Sequence, residues 1–517
     1  MKKSIIYISI VLLSIFIQSC EKDVLDEQSG ETFIVTSQYE EKVEIPKYDP
    51  NDLTHVLITT ENKKWNNSVL NNPNYKHFYV APGVYGDATT NHYDPIYKVL
   101  TTSGTAEDRR TISLYNDNDA HPASLPDNEV ASVAFRLTGA SYWTIDRMAN
   151  LDRNTKWSLA IKKTSNHNII NRWHLRNHGY GVTIQSGSSY NTIQNSYINH
   201  ATDSSRRSHD AIGLQIAIDN QSTPAIGNKF INNDIRNATD GVQLTWNYTT
   251  NSNFEGTIID SNRIWFDEDA YVNRDGVQDP TGEYTNAENL MDIKAGSTNA
   301  DNPVVITNNI MWGLKTSHPV GQDNNQVLSS GTAIVFHGSS QNIKFENNIV
   351  FDVQTGINVA PNKGYGDGEN IKLVNNIFYN INKSNPENFD YMLAIANLNA
   401  DNLLMKNNTI IKNFTSSSGS GNAIYSKASS VIKNNLLIDT KNTNNAITST
   451  INGNWFYNAN ENFTTDINSV FYESANDAKM ADYTFVYEGF TKTPRQKKLK
   501  GVITTKDSPH YRKAGVE

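Results

Sequence analysis

Apolar and polar residues alternate with a period of two along most of this chain, in short runs that end in Asn-Asn or a close variant. Clear copies are NTIQNSYI (Asn191 to Ile198), NKFINNDI (Asn228 to Ile235), VVITNNI (Val304 to Ile310), NIKFENNI (Asn342 to Ile349), NIKLVNNI (Asn370 to Ile377), NLLMKNNTI (Asn402 to Ile410) and VIKNNL (Val431 to Leu436). Period-two alternation is the mark of a half-buried strand, with one face inward and one in water. Copies recur roughly 27 to 47 residues apart, which fits coils with loops of variable length rather than helical repeats of fixed length. Asn at the same turn of successive coils can stack and exchange amide hydrogen bonds. The fold expected is all-β, a right-handed parallel β-helix (a single-stranded solenoid) with terminal caps. A β-sandwich also gives many short strands, but it does not require one motif to return in the same apolar phase.

A second element follows each Asn motif: YGVTIQ (Tyr180 to Gln185), DAIGLQ (Asp210 to Gln215), DGVQLT (Asp240 to Thr245), NLMDIK (Asn289 to Lys294), TAIVFH (Thr332 to His337) and TGINVA (Thr355 to Ala360). Its third and fifth positions are always apolar, so they point inward, and the fourth and sixth point outward. Stacking these strands about 4.8 Å apart predicts an outer row of Gln185, Gln215, Thr245, Lys294, His337 and Ala360. It predicts a parallel row of Thr183, Gly213, Gln243, Asp292, Val335 and Asn358. Lys294 and His337 become neighbours, and Asp210 is expected to sit beside Asp240 at the strand entrance. The longest excursion between motifs, residues 246 to 288, precedes the Lys294 strand and is positioned to wall a groove.

Composition narrows the class without fixing it. The 517 residues exceed an ordinary single domain, a limit that repeat folds escape because each coil packs only on its neighbours. A formal net charge of −9 gives no basic field for nucleic acid but suits bound divalent cations. An acidic polymer partner then requires local cations. Lys2 and Lys3 precede the apolar run Ile5 to Ile17, which has the length of a signal peptide rather than a membrane span. The following Gln18-Ser19-Cys20 ends in the sole cysteine of the chain. Ile17 to Cys20 resembles a bacterial lipobox, and Glu21-Lys22-Asp23 resembles the acidic export tag of Bacteroidetes surface lipoproteins. That resemblance implies lipidation at Cys20, a membrane anchor there and a cell-surface position on the outer membrane. The expected organisation is a signal peptide over 1–20, a polar tether over 21–50, the β-helix over 51–460 and a C-terminal cap or extension over 461–517, in a monomer.

The outward row carries the chemistry. A uronic-acid polymer breaks by β-elimination when a base takes the proton α to the carboxylate and a cation neutralises that carboxylate; a lysine can be the base if neighbouring positive charge or desolvation lowers its pKa. Lys294 has His337 on one side and Asp292, Asp240 and Asp210 on the other. A solvated lysine paired with Asp292 or Glu288 is the bland alternative. Asp210-Ala-Ile-Gly-Leu, Asp240-Gly-Val-Gln-Leu and Met291-Asp-Ile-Lys-Ala-Gly296 resemble successive motifs of right-handed β-helix polysaccharide lyases, especially polysaccharide lyase family 9. The resemblance implies Lys294 as base, with His337 beside it, and a calcium ion held by Asp210 and Asp240, completed by Asp292, Glu288 or the acidic loop Asp267-Glu268-Asp269. The family pattern pairs two aspartates where this chain has Thr239-Asp240. Glycosaminoglycan lyases of gut Bacteroidetes share the fold, but no diagnostic motif of theirs aligns. Arg206, Arg207, Trp246, Tyr248 and Arg274 are the expected contacts to an acidic polysaccharide, through guanidinium forks and ring stacking. The Arg172 to His178 cluster alternates like a coil strand. A glycoside hydrolase with two close carboxylates, an epimerase and a non-catalytic surface glycan-binding protein stay open as competing functions.

Overall fold

The computed structural model describes residues 37–457, except 86–97, 117–118, 152–156, 177–179, 200–211, 219–222, 247–252, 268–270, 273–283, 286–287, 315–331, 338, 360–367, 382–393, 398–399, 401, 414–422, 427–428, 441–448 and 453; beyond 457 it describes strands Val470–Tyr472, Thr484–Tyr487 and Leu499–Val502. The chain divides after Val35, and everything below concerns the unit that begins at Thr36. Cys20 and the apolar run before it lie outside the described residues. Among the described residues no helix is long and apolar enough to cross a membrane.

Each coil contributes one strand to each of three parallel sheets. In one coil these are Ile169–Asn171 in sheet 1, His174–Arg176 in sheet 2 and Tyr180–Gln185 in sheet 3. Successive coils extend the sheets to 14, 14 and 11 described strands, so the chain is a parallel β-helix. The apolar phase of the sequence becomes columns of identical orientation: Ile112, Ile145, Ile170, Ile193, Phe230, Ile259 and Ile306 stand in register up sheet 1, all fully buried. Trp173 of the Arg172 to His178 cluster is also interior, Arg172 pairs with Asp146 at 2.6 Å and Arg176 with Asp127 at 2.7 Å. The described part of that cluster, Arg172 to Arg176, is tied into the solenoid.

The two residues of each Asn-Asn pair do different work. The first turns the chain between sheets 1 and 2 in the left-handed region, as at Asn232, Asn308, Asn347, Asn375 and Asn407 (φ 53 to 57°), which Asn tolerates better than most residues. The second is buried and forms the expected ladder. Asn348 Nδ2 donates to Asn376 Oδ1 at 3.2 Å and to the Ile306 carbonyl at 2.9 Å, while its own Oδ1 accepts from the backbone N–H and the amide of Asn309, both at 2.9 Å. The same exchange runs from Asn233 through Asn262, Asn309, Asn348, Asn376, Asn408 and Asn435 to Asn454. The Asn262 rung has Ser261 (φ 57°) in place of the first Asn. It belongs to a full coil, with strands Ile258–Asp260 and Arg263–Trp265. The expected excursion of 246–288 is thus shorter, because its middle is solenoid.

Two boundaries also move. Strand Val470–Tyr472 pairs in parallel with Trp455–Tyr457, so the coil pattern continues past 460. Residues 37–49, expected as tether, instead form a strap along the outer face of sheet 1. Glu41 N–H donates to Gln194 Oε1 at 2.9 Å, Gln194 Nε2 donates back to the Glu41 carbonyl at 2.8 Å, and Lys229 meets Glu41 at 2.6 Å. At the other end Tyr79 Oη donates to the Pro46 carbonyl at 2.7 Å and Asp49 N–H to His55 Nδ1 at 3.0 Å. From the Lys229 strand to the His55 strand is six strand spacings, about 29 Å, and the eight residue steps from Glu41 to Asp49 span about 27 Å when extended. The strap therefore runs nearly straight along the solenoid axis. Beneath its path the outward-facing Ser113, Asp146, Asn171 and Gln194 are buried.

The division of labour within Asn347-Asn348 is testable. Asn348→Ala orphans a backbone N–H and a carbonyl in the interior, and is expected to cost on the order of 2–4 kcal/mol. Asn347→Gly keeps the left-handed turn accessible and is expected to cost under about 1 kcal/mol. Guanidinium unfolding of the two variants gives the comparison; equal losses would show that the ladder adds nothing beyond the turn.

Candidate functional site

The candidate site lies on sheet 3, on β1 (Tyr180–Gln185), β2 (Ile212–Ile218), β3 (Asp240–Trp246), β4 (Asn289–Ile293), β5 (Thr332–Phe336) and β6 (Thr355–Val359). Register sets which side chains meet. Thr183 pairs with Gln215, Gln215 with Gln243, Gln243 with Asp292, Asp292 with Val335 and Val335 with Asn358. The expected rows hold from β3 onward, but β2 sits two residues away from the expected position, and Asp240 faces Ile212. Asp210 is therefore not the register partner of Asp240, and it lies outside the described residues. The cause is backbone proximity at the strand entrance. A Cβ on Gly213 would come within 2.5 Å of the Gly241 carbonyl oxygen, and one on Gly181 within 2.3 Å of that of Gly213, so glycine stacks on glycine. A slip of two leaves every side chain on its original face, which is why alternation alone did not detect it.

The corrected register produces a continuous polar chain. Thr183 Oγ1 donates to Gln215 Oε1 at 3.4 Å, Gln215 Nε2 to Gln243 Oε1 at 2.6 Å, and Gln243 Nε2 to both Asp240 Oδ2 at 2.8 Å and Asp292 Oδ2 at 3.2 Å. All five side chains are buried. The chain ends on two carboxyl groups that share one amide donor.

Lys294 and His337, adjacent as expected, both converge on Asp292. Lys294 Nζ is 2.9 Å from Asp292 Oδ2, and His337 Nε2 is 2.8 Å from Oδ1. Asp292 is 2% exposed, whereas the Lys294 and His337 side chains are 31% and 25% exposed. The carboxylate is thus interior, and the two groups it holds reach solvent.

Electrostatics divide these groups clearly. Burial favours a neutral Asp292, but His337 and the Lys294 ammonium outweigh it and hold the carboxyl below its ordinary pKa. Asp240 is driven the other way, first by burial and then by the Asp292 and Glu288 charges, well above the carboxylate range. Its neighbour Asn289 agrees. With its NH2 donating to the carbonyls of Thr332 and Glu288, both at 3.1 Å, the atom 3.4 Å from Asp240 Oδ1 is the amide oxygen, which a protonated Asp240 can serve. Burial lowers the Lys294 pKa, yet Asp292, Asp240 and Glu288 more than reverse this, and the net value lies above that of ordinary lysine. The condition set for Lys294 as base, a lowered pKa, is not met in this arrangement.

Among the described residues no three His, Cys, Asp or Glu side chains form a metal-binding group. Asp292 is engaged by Lys294 and His337, Asp240 by Gln243, and Asp267 by Arg236 and Asn237. The described donors do not fit calcium. Of the expected polymer contacts, Arg206, Arg207, Tyr248 and Arg274 lie outside the described residues. Trp246 ends β3 in register with Ile218. The polar chain through Gln215 and Gln243 was missed; the glycine in Gly213-Leu-Gln and Gly241-Val-Gln was the signal that could have found it.

No family model matches the sequence, and no curated protein matches it. Solved structures do show likeness. An alginate lyase from Paenibacillus sp. str. FPU-7 is 18% identical, with 59% of this chain and 91% of that chain covered and a TM-score of 0.37. The PL6 family alginate lyase AlyGC is 12% identical, with 90% of this chain and 58% of that chain covered and a TM-score of 0.47. The catalytic domain of a GH87 α-1,3-glucanase is 11% identical, with 83% and 70% covered and a TM-score of 0.35. At such identities and scores no activity is carried over from them.

Proposed function

We propose that this chain is a polysaccharide lyase that cleaves a uronate-containing polymer by β-elimination, with His337 and Lys294 as its catalytic residues. The observation that carries the proposal is the buried Asp292 carboxylate holding an ammonium and an imidazole side by side at the surface. With Nε2 turned to Asp292, the imidazole keeps its proton there and leaves Nδ1 to accept one. His337 takes the proton α to the substrate carboxylate. Lys294 pairs with that carboxylate and stabilises the charge that develops on it as the C–H electrons move into the ring. The 4,5 double bond forms, the C4–O bond breaks and the leaving oxygen takes up the proton that His337 has removed from C5. No step passes through calcium, because the described donors do not fit it; a calcium contribution rests on acidic residues outside the described ones, Asp210 among them.

The same geometry argues against hydrolysis by two carboxyl groups. That chemistry needs one acid at the glycosidic oxygen and one carboxylate at water or the anomeric carbon. Asp240 and Asp292 are 1% and 2% exposed, respectively, and are satisfied by protein partners. Neither is presented to a sugar.

Incubation with pectic, alginate and glycosaminoglycan polymers, monitored by absorbance of the 4,5-unsaturated uronate, tests the reaction. New reducing ends without that absorbance would reject it in favour of hydrolysis. His337→Ala is expected to lower turnover by about 10²- to 10⁴-fold, the usual worth of a general base. Lys294→Arg is expected to retain a measurable fraction of activity that Lys294→Ala loses, since a cation suffices in the proposed role. An inactive Lys294→Arg beside an active His337→Ala would return the base to Lys294. Dialysis against a chelator is expected to leave turnover intact, and loss restored by added calcium would reinstate a metal at Asp210.

A further inference from the structure

The strap covers only part of sheet 1. Further along the same outer face, four consecutive strands run Gln341–Glu346, Glu369–Val374, Leu403–Lys406 and Ser430–Lys433. Lys344 is in register with Lys372, and Lys406 with Lys433. The period-two phase directs all four outward, and each is half-buried. Among the described residues none of the four has an ion-pair partner at contact distance. Leu404, Val431 and Val374 lie between them on the same face, also partly exposed, and Glu346 is the acidic residue in their rows. In a chain of net charge −9, an outward strip of four lysines interleaved with aliphatic side chains is a local reversal of sign.

The strap indicates what such a face accepts. It is an extended segment lying along the solenoid axis, and it presents the Glu41 carboxylate to Lys229 on the strand face at 2.6 Å. We infer that the strip of Lys344, Lys372, Lys406 and Lys433 is a second, non-catalytic docking surface for an extended acidic polysaccharide, which lies along the axis as the strap does. Cations spaced by one or two strand separations, about 5 to 10 Å, match a ligand that carries a carboxylate on each or every second sugar. The aliphatic side chains between them offer contact to the C–H faces of the rings. This identification of the ligand rests on the lyase reading of sheet 3; the strip itself does not.

The test compares the full-length wild type with the quadruple variant Lys344→Gln, Lys372→Gln, Lys406→Gln, Lys433→Gln in affinity electrophoresis on polygalacturonate, alginate and hyaluronan. The variant is expected to lose about tenfold or more in affinity for the polymer that the wild type retains best, and the salt sensitivity of binding should shrink with it. Turnover of a short oligosaccharide, too small to span both faces, is expected to stay at the wild-type level. The double variants Lys344→Gln, Lys372→Gln and Lys406→Gln, Lys433→Gln should each show part of the loss, which guards against a folding defect in the quadruple variant. Unchanged polymer affinity, or a wild type that binds none of the three polymers, would overturn the inference. So would lysine-dependent binding to phosphatidylglycerol vesicles without lysine-dependent polymer binding. Unsaturated product with unchanged affinity in the quadruple variant would remove the strip alone. Lysine-dependent binding with no unsaturated product would remove the lyase reading alone.

Discussion

Coil-on-coil register is the constraint on which the rest of this protein depends. Each coil touches only its neighbours, so nothing distant corrects a strand that pairs one step out of place. The buried asparagine ladder supplies the correction locally. Each amide donates to the next rung and to a main-chain carbonyl, and each amide oxygen receives the backbone N–H of the rung before it. A coil displaced along its strand would leave these interior groups unpaired, at a cost of about 1–3 kcal/mol each. Lys294 and His337 lie one coil apart in sequence, and they meet at Asp292 only because β4 and β5 are held in that register.

The fold was legible because it is written twice, as period-two alternation and as Asn-Asn turns, and both signals arise from one-dimensional stacking. The coil at Asn262 escaped notice because Ser261 performs the left-handed turn there. The Asp292, Lys294 and His337 cluster was legible because those residues lie at fixed offsets in neighbouring strands. The placement of Asp210 was not, since matching Asp210 to Asp240 and matching Gly213 to Gly241 preserve the same inward and outward faces. Only the close approach of one backbone to the next separates the two, through the absence of a Cβ. The strap was illegible for another reason. It is held by single pairings such as Glu41 with Gln194 and Lys229, and these leave no period in the sequence.

The buried carboxylate of the site is matched by the cation that faces it. Two carboxyl groups share Gln243 in a dry environment, where two unscreened negative charges would repel strongly. Burial and the Asp292 charge favour the protonated form of Asp240, whereas His337 and Lys294 favour the charged form of Asp292. The groups next to Asp292 that reach solvent are thereby a cation and an imidazole, with Asp240 and Asp292 behind them and the exposed Glu288 at the strand entrance. A polyanion can approach such a surface, whereas two exposed carboxylates would repel it. The polar chain from Thr183 through Gln215 fixes the Gln243 amide, and hence the side of Asp240 and Asp292 on which hydrogen bonds are already used.

Sheet 1 poses the same electrostatic problem in a different setting. Along the strap the outward polar row is covered by the chain itself, and Lys229 receives its carboxylate from Glu41. Past the end of the strap none of the described residues holds an acid at contact distance of Lys344, Lys372, Lys406 or Lys433, although Glu346 stands in their rows. Four ammonium groups within a few strand spacings repel one another, and surface lysines gain little from isolated pairs, so the cluster is a poor device for stabilising the fold. An extended polyanion changes that balance. One ordered chain neutralises several cations at once, and the loss of its freedom is shared among all of them. On the proposed reading the solenoid offers two faces suited to one chemistry, a reactive row on sheet 3 and a retaining row on sheet 1, both created by stacking the same short strand.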